Sequence, residues 1–173
     1  MLMGGGTGII LMRKKALVGL CAALLVTAPA QSACWSSEHL TAARVRDLQT
    51  WLMVETLRCQ VMHFDLSGDY NGFLRANRSA IGDANDRLKH FFITADGPVF
   101  GQQSYDRFTT RLANAYGAGH TGAESCEQAR AVAREAAMMD NSAEGLLLIA
   151  ERQGLSPQLP GGICGQEAVA SAK

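Results

Sequence analysis

The sequence YNGFLRANRSAIGDANDRLKHF, residues 70–91, decides the fold. Within it, the residues able to face a partner recur at alternating steps of four and three: Tyr70, Leu74, Asn77, Ile81, Ala84, Leu88 and Phe91. That spacing is typical of a helix packed nearly antiparallel on a neighbouring helix. With Asp69 as its N-cap, this second helix of the chain is predicted to run to about Phe92.

The stretch before it predicts the partner helix. Ser36 or Ser37 can cap a first helix running to about Met62, with apolar residues on more than one face, as in a central helix. If the chain turns back near Leu66, the seam residues align as Val45 with Leu88, Leu48 with Ala84, Leu52 with Ile81, and Glu55 with Asn77. We therefore expect one buried polar pair within an otherwise apolar seam.

Three further helices are predicted downstream. A loop at residues 94–101, which contains Gly97-Pro98, leads to a third helix at about 103–116. A fourth helix is expected from about Ala123 to Met139, and a fifth from about Ser142 to Gln153, where Gly154 is a C-terminal stop signal. Strand-like alternation is lacking, so the sequence predicts an all-α fold of about five helices in an up-and-down bundle.

The N-terminal residues have the pattern of a bacterial secretory signal. A basic cluster, Arg13-Lys14-Lys15, precedes an apolar run at residues 16–26 and a small-residue cleavage pattern ending at Ala30. The run of about eleven residues is shorter than the roughly twenty that a spanning helix needs. We expect a signal at 1–33, cut at about 30–33, one helical domain at 34–164 and a disordered tail at 165–173. Translation starts at Met1 or Met12.

Four cysteines remain once the signal is removed: Cys34, Cys59, Cys126 and Cys164. An even number in an exported chain predicts two disulfides. A continuous first helix, with a rise of roughly 1.5 Å per residue, holds Cys34 more than about 30 Å from Cys59, so these two cannot pair. The bundle topology favours Cys59 with Cys126 and Cys34 with Cys164. The other possibility is Cys59 with Cys164 and Cys34 with Cys126.

Charge and motif content exclude several classes of function. The chain has 16 basic and 16 acidic side chains, and removal of the signal leaves a net charge near −3, so no nucleic-acid partner is expected. Contact with a membrane is expected only during export. The four histidines lack metal-binding spacing and are expected to be exposed, so no metal and no cofactor is predicted. An oxygen-rich stretch at residues 65–71 lacks the glycine and the glutamate of a calcium loop.

Glu55 is the candidate for chemistry, because a buried carboxylate can have a raised pKa and act as an acid or base. The alternative is structural: Asn77, with Arg58 one turn away, satisfies the carboxylate as a polar pair that sets the register. We favour the structural role, so Glu55 is only a weak candidate for catalysis.

Several short stretches resemble uncharacterised exported four-cysteine proteins of bacteria. They are Cys34-Trp35, Leu57-Arg58-Cys59-Gln60, Tyr70-Asn71-x-Phe73, Asn85-Asp86-Arg87-Leu88-Lys89 and Leu112-Ala113-Asn114-x-Tyr116-Gly117. The resemblance covers most of the mature chain and implies no activity. We expect a periplasmic or secreted, non-enzymatic domain that binds an envelope protein or a small ligand, or else a small envelope hydrolase or lyase using Glu55 or a loop histidine.

Overall fold

The computed structural model describes residues 34–165, and the predicted signal and the last eight residues lie outside this range. The described residues form five helices: α1 Ser37–Val61, α2 Ser67–Ala76, α3 Arg78–Gly117, α4 Ala123–Ala137 and α5 Ala143–Arg152. The all-α prediction is therefore confirmed. Within residues 34–165, none of the helices combines the length and the apolar character needed to cross a bilayer.

Helix α1 is the central helix of the bundle. Its N-cap is Ser36, whose hydroxyl accepts a hydrogen bond from the backbone N–H of His39. Arg58 in the last turn complements the partial negative charge of the helix C-terminus. Buried positions lie on several of its faces, and it packs against all four other helices. The sequence thus predicted both ends of α1 to within about one residue.

The second helix is not continuous as predicted, because it breaks at Asn77. Helix α2 ends at Ala76 and α3 begins at Arg78, with Asn77 between them at φ −111° and ψ 26°. The Asn77 side chain donates to the carbonyl of Phe73 at 3.1 Å and to that of Ala136 in α4 at 2.7 Å. An asparagine amide that bonds backbone carbonyls in this way competes with helix continuation. As a result, α2 packs mainly on α4, whereas α3 packs on α1.

Helix α3 reverses direction at Gly97, where we expected a loop at residues 94–101. Gly97 has φ 80° and ψ 168°, and Pro98 follows it. We call residues 78–96 the first arm and residues 98–117 the second arm. The rings of Phe92 and Phe108 lie 5.6 Å apart, a separation that one straight helix cannot give over sixteen residues. The arms approach so closely that a Cβ at Gly101 would lie 2.5 Å from the Cα of Ile93.

Contacts between the helices establish the predicted up-and-down order. Arg87 of the first arm pairs with Glu38 at the start of α1, with 3.0 Å between Nη1 and Oε2. Tyr116 of the second arm reaches Asp47 in the middle of α1. Helix α4 starts beside the end of α1, where Cys126 is bonded to Cys59. Helix α5 then returns along α1, so that successive long elements alternate in direction.

Both favoured disulfides are present. Cys34 is bonded to Cys164 with 4.9 Å between Cα atoms, and Cys59 to Cys126 with 5.8 Å. The two bridges differ in exposure, because Cys59 and Cys126 are fully buried whereas Cys34 and Cys164 are exposed.

Trp35 anchors the exposed bridge to the core. Its indole Nε1 donates to the carbonyl of Pro160 at 2.8 Å, and its backbone bonds Gly162 and Cys164 on the returning chain. The ring is fully buried and lies 4.3 Å from the ring of Phe91 and 5.6 Å from that of Phe108. We call Cys34, Trp35 and residues 160–164 the terminal clasp, since they join the two ends of the described chain.

Candidate functional site

The structure does not bring Glu55 and Asn77 together. Glu55 is 7 % exposed, and its Oε2 accepts a hydrogen bond from the Thr121 hydroxyl at 3.4 Å. The amide of Asn77 is directed to Phe73 and Ala136, because the helix break turns this residue towards α4 rather than α1. The predicted polar pair is therefore wrong.

The surroundings of Glu55 are those of a carboxylate held within the fold. Burial raises its pKa, while the charge of Arg58 and the hydroxyl of Thr121 lower it. The Arg58 guanidinium also donates to the carbonyl of Tyr116 in the last turn of α3 and to that of Gly119 just after α3 ends. Glu55 and Arg58 thus fasten the connection between α3 and α4 to the end of α1.

His39 of α1 and His90 of the first arm of α3 lie at the same end of the bundle. Both line a shallow cavity of about 440 Å³ together with Glu38, Asp83, Asp86 and Arg87. Nδ1 of His39 lies 2.9 Å from the Ser36 hydroxyl, its ring packs against that of Phe91 in a tilted arrangement, and burial lowers its pKa. His63, His90 and His120 are exposed as expected, whereas the expectation is wrong for His39, which is half-buried because its ring packs on Phe91. Across residues 34–165, no group of three histidine, cysteine or carboxylate side chains is placed to hold a metal ion.

Asp47 is the buried acid that the sequence analysis missed. It lies in the middle of α1 and is 1 % exposed. Its Oδ1 accepts a hydrogen bond from the Tyr116 hydroxyl at 2.7 Å, whereas its Oδ2 is shielded from solvent and has no partner within the described chain. Its burial could have been predicted from its position between Val45 and Leu48, two core residues of a helix with several buried faces.

The environment of Asp47 shifts the pKa values of both partners. Burial raises the pKa of Asp47 to about 6, although the Tyr116 hydroxyl acts in the opposite direction. Burial and the neighbouring carboxylate also raise the pKa of Tyr116. Tyr116 therefore remains a protonated donor at neutral pH. Asp47 is ionised at neutral pH and becomes protonated when the pH falls to about 6.

Asp47 and Tyr116 line a cavity of about 710 Å³. The second arm of α3 forms one wall and residues 153–158, which follow α5, form another. Apolar surface comes from Phe108, Leu112, Leu155 and Pro157, and polar surface comes from Arg111, Asn114 and Gln153. Largely apolar cavities of roughly 300–1,000 Å³ with a few polar groups are typical of small-molecule sites. We call this the Asp47 cavity.

The fold and this cavity define a disulfide-bonded, all-α protein with a buried acid beside a ligand-sized space. No protein-family model matches the chain, and neither a curated protein nor a solved structure shows significant similarity to it. Function must therefore be inferred from the geometry of the described residues.

Proposed function

We propose that the protein is an exported, non-enzymatic binding domain that takes a small ligand into the Asp47 cavity. The observation that carries this proposal is the combination of a cavity of about 710 Å³ with a buried, incompletely bonded carboxylate in its wall. Binding sites commonly pair apolar walls with a few such polar groups, which fix the orientation of the ligand.

Export is the second part of the proposal. Two disulfides are typical of proteins in an oxidising compartment, and one of these bridges is exposed to any reductant. The basic cluster and apolar run at residues 13–26 have the pattern of a secretory signal. We therefore assign the protein to the periplasm or to the outside of the cell.

The contacts of Glu55 favour binding over the enzymatic alternative. Its carboxylate is engaged by Thr121 and faces Arg58, in an arrangement that fixes the chain after α3. Replacement Glu55→Gln separates the two functions, because a structural role predicts a change in stability with ligand binding intact. If Glu55→Gln kept the stability of the wild type but lost the activity of the protein, the enzymatic alternative would be favoured.

Fractionation tests the export proposal. The full chain is expressed in a bacterium with its own N-terminus, and the periplasmic protein is examined by intact mass spectrometry before and after thiol alkylation. We expect a chain that begins between residues 31 and 34 and carries no free thiol. A protein that keeps residues 1–33 and stays in the cytoplasm would contradict the proposal.

Ligand binding is tested on the same oxidised protein. Native mass spectrometry of gently purified material is expected to detect a bound small molecule, and Ala115→Trp in the cavity lining is expected to remove it. The matched control is Ala131→Trp, which places the same bulk on an exposed position of α4. Equal ligand content in both variants would show that the ligand does not occupy this cavity.

A further inference from the structure

Asp47 carries a charge that the protein itself does not neutralise. None of the ion pairs formed within residues 34–165 includes Asp47. Its two arginine neighbours in the sequence are engaged elsewhere, Arg44 with Glu151 and Arg46 with Gln49. Buried carboxylates are usually paired with a cation, because an unpaired charge in a low-dielectric interior is costly.

The residues that line the cavity indicate which other chemical groups the ligand carries. Phe108 is 1 % exposed, Leu112 is 6 % exposed and Leu155 is 8 % exposed, so the surface they present is continuous with the core. Such walls favour an apolar body. Arg111 also lines the cavity and is itself exposed, and its charge disfavours a ligand with a second positive group.

We propose that the Asp47 cavity binds a small organic ammonium ion with a single positive charge. Asp47 is 1 % exposed, so its side chain must rotate towards the cavity for the carboxylate to pair with the ammonium group. The apolar body of the ligand lies against Phe108, Leu112 and Leu155. This assignment rests on the proposed binding function and adds the chemical class of the ligand. The pKa of about 6 leaves Asp47 ionised at pH 7.5, the state that the pairing requires.

Three probes of similar size and shape test the charge requirement: 2-phenylethylamine, 2-phenylethanol and 3-phenylpropionate. Their affinities for the mature, disulfide-bonded protein are measured at pH 7.5 by calorimetry or by protein-observed NMR. We expect the amine to bind at least about tenfold more tightly than the alcohol and the carboxylate. Equal binding of the amine and the alcohol, or binding of none of the three, would overturn the ammonium assignment.

Substitutions test whether the preference for the amine depends on Asp47. Asp47→Asn is expected to lower the affinity for the amine at least about tenfold and to remove the preference over the alcohol. Glu55→Gln, at a buried carboxylate outside the cavity lining, is the matched control and is expected to retain both. If Asp47→Asn fails to fold, the NMR shift changes that the amine causes in the wild-type protein show whether it binds in the Asp47 cavity. They are expected at Tyr116 and Leu112, and shifts confined to other regions overturn the proposal.

The outcomes separate this inference from the proposed function. A co-purifying ligand that lacks a basic nitrogen and is lost in Ala115→Trp would support the binding function and overturn the ammonium assignment. Absence of any ligand together with failure of all three probes would overturn both.

Discussion

The Tyr116 hydroxyl donates a 2.7 Å hydrogen bond to Oδ1 of Asp47 across 69 positions of sequence. This bond joins the end of the second arm of α3 to the middle of α1, beside the larger of the two cavities described above. It thus holds a helix pair together and partly offsets the rise in the pKa of Asp47 that burial causes.

Stability should depend on the protonation of Asp47. The pKa rises from an ordinary value of 3.8 to about 6 on folding, so the folded state binds more protons between these values. The contribution of Asp47 to the free energy of unfolding is therefore fully present below about pH 4 and is lost as the pH rises to about 6, by up to about 3 kcal/mol.

Asp47→Asn removes this titration, so its free energy of unfolding should rise relative to wild type between pH 4 and 6.5. Urea denaturation across that range provides the measurement, with the exposed Asp83→Asn as the control. A constant difference between wild type and Asp47→Asn at all pH values would contradict the raised pKa.

Removal of the Tyr116 hydroxyl should lower the free energy of unfolding and raise the pKa of Asp47. Tyr116→Phe leaves both oxygens of Asp47 without a partner, which is expected to cost about 1–3 kcal/mol at pH 7. The pKa of Asp47 should also rise further, because the hydroxyl lowers it in the wild-type protein. Tyr105→Phe is the matched control, since its hydroxyl makes a longer bond of 3.4 Å to Asn85. Comparable losses in the two variants would assign the effect to general repacking.

The two disulfides should differ in their rate of reduction. Cys34–Cys164 is exposed whereas Cys59–Cys126 is fully buried, so limiting reductant should open the former first. Timed alkylation and peptide mapping give the order. Opening of the clasp should also shift the fluorescence of Trp35 to longer wavelength, and Trp51→Phe leaves that signal to Trp35 alone. Reduction of the buried bridge first would contradict the exposure argument.

Asn77→Ala should destabilise the protein even though alanine is the better helix former. The substitution removes the amide that bonds the carbonyls of Phe73 and Ala136, with an expected loss of about 1–3 kcal/mol. Chemical denaturation measures the change. Asn71→Ala, on the exposed side of α2, serves as the control and is expected to alter stability by less than about 0.5 kcal/mol. A more stable Asn77→Ala protein would show that the break in the helix is not maintained by these bonds.

Local patterns were sufficient for the parts of the fold that local chemistry decides. The seam at residues 70–91, the Ser36 cap and the spacing of the cysteines predicted the helical class, the ends of α1 and the disulfide pairing. The pairing could be predicted because α1 is too long for Cys34 to reach Cys59, a constraint that needs only the rise of a helix.

The errors arose where distant residues decide the structure. The helix breaks at Asn77 because its amide finds a carbonyl 59 positions away in α4, a partner that the seam pattern does not contain. Because the break turns the side chain of Asn77 towards α4, Asn77 does not make the predicted contact with Glu55. Asp47 was overlooked for the same reason, since its importance comes from Tyr116 and from the cavity wall formed by residues 153–158.

The terminal clasp also determines how the domain responds to mechanical force. Because the Cα atoms of Cys34 and Cys164 lie 4.9 Å apart across a covalent bond, a load applied to the two ends of the described chain passes directly through the sulfur atoms. The helices between them stay unloaded as long as this disulfide is intact. A tether attached at either end can therefore be stretched without unfolding the bundle or opening the Asp47 cavity.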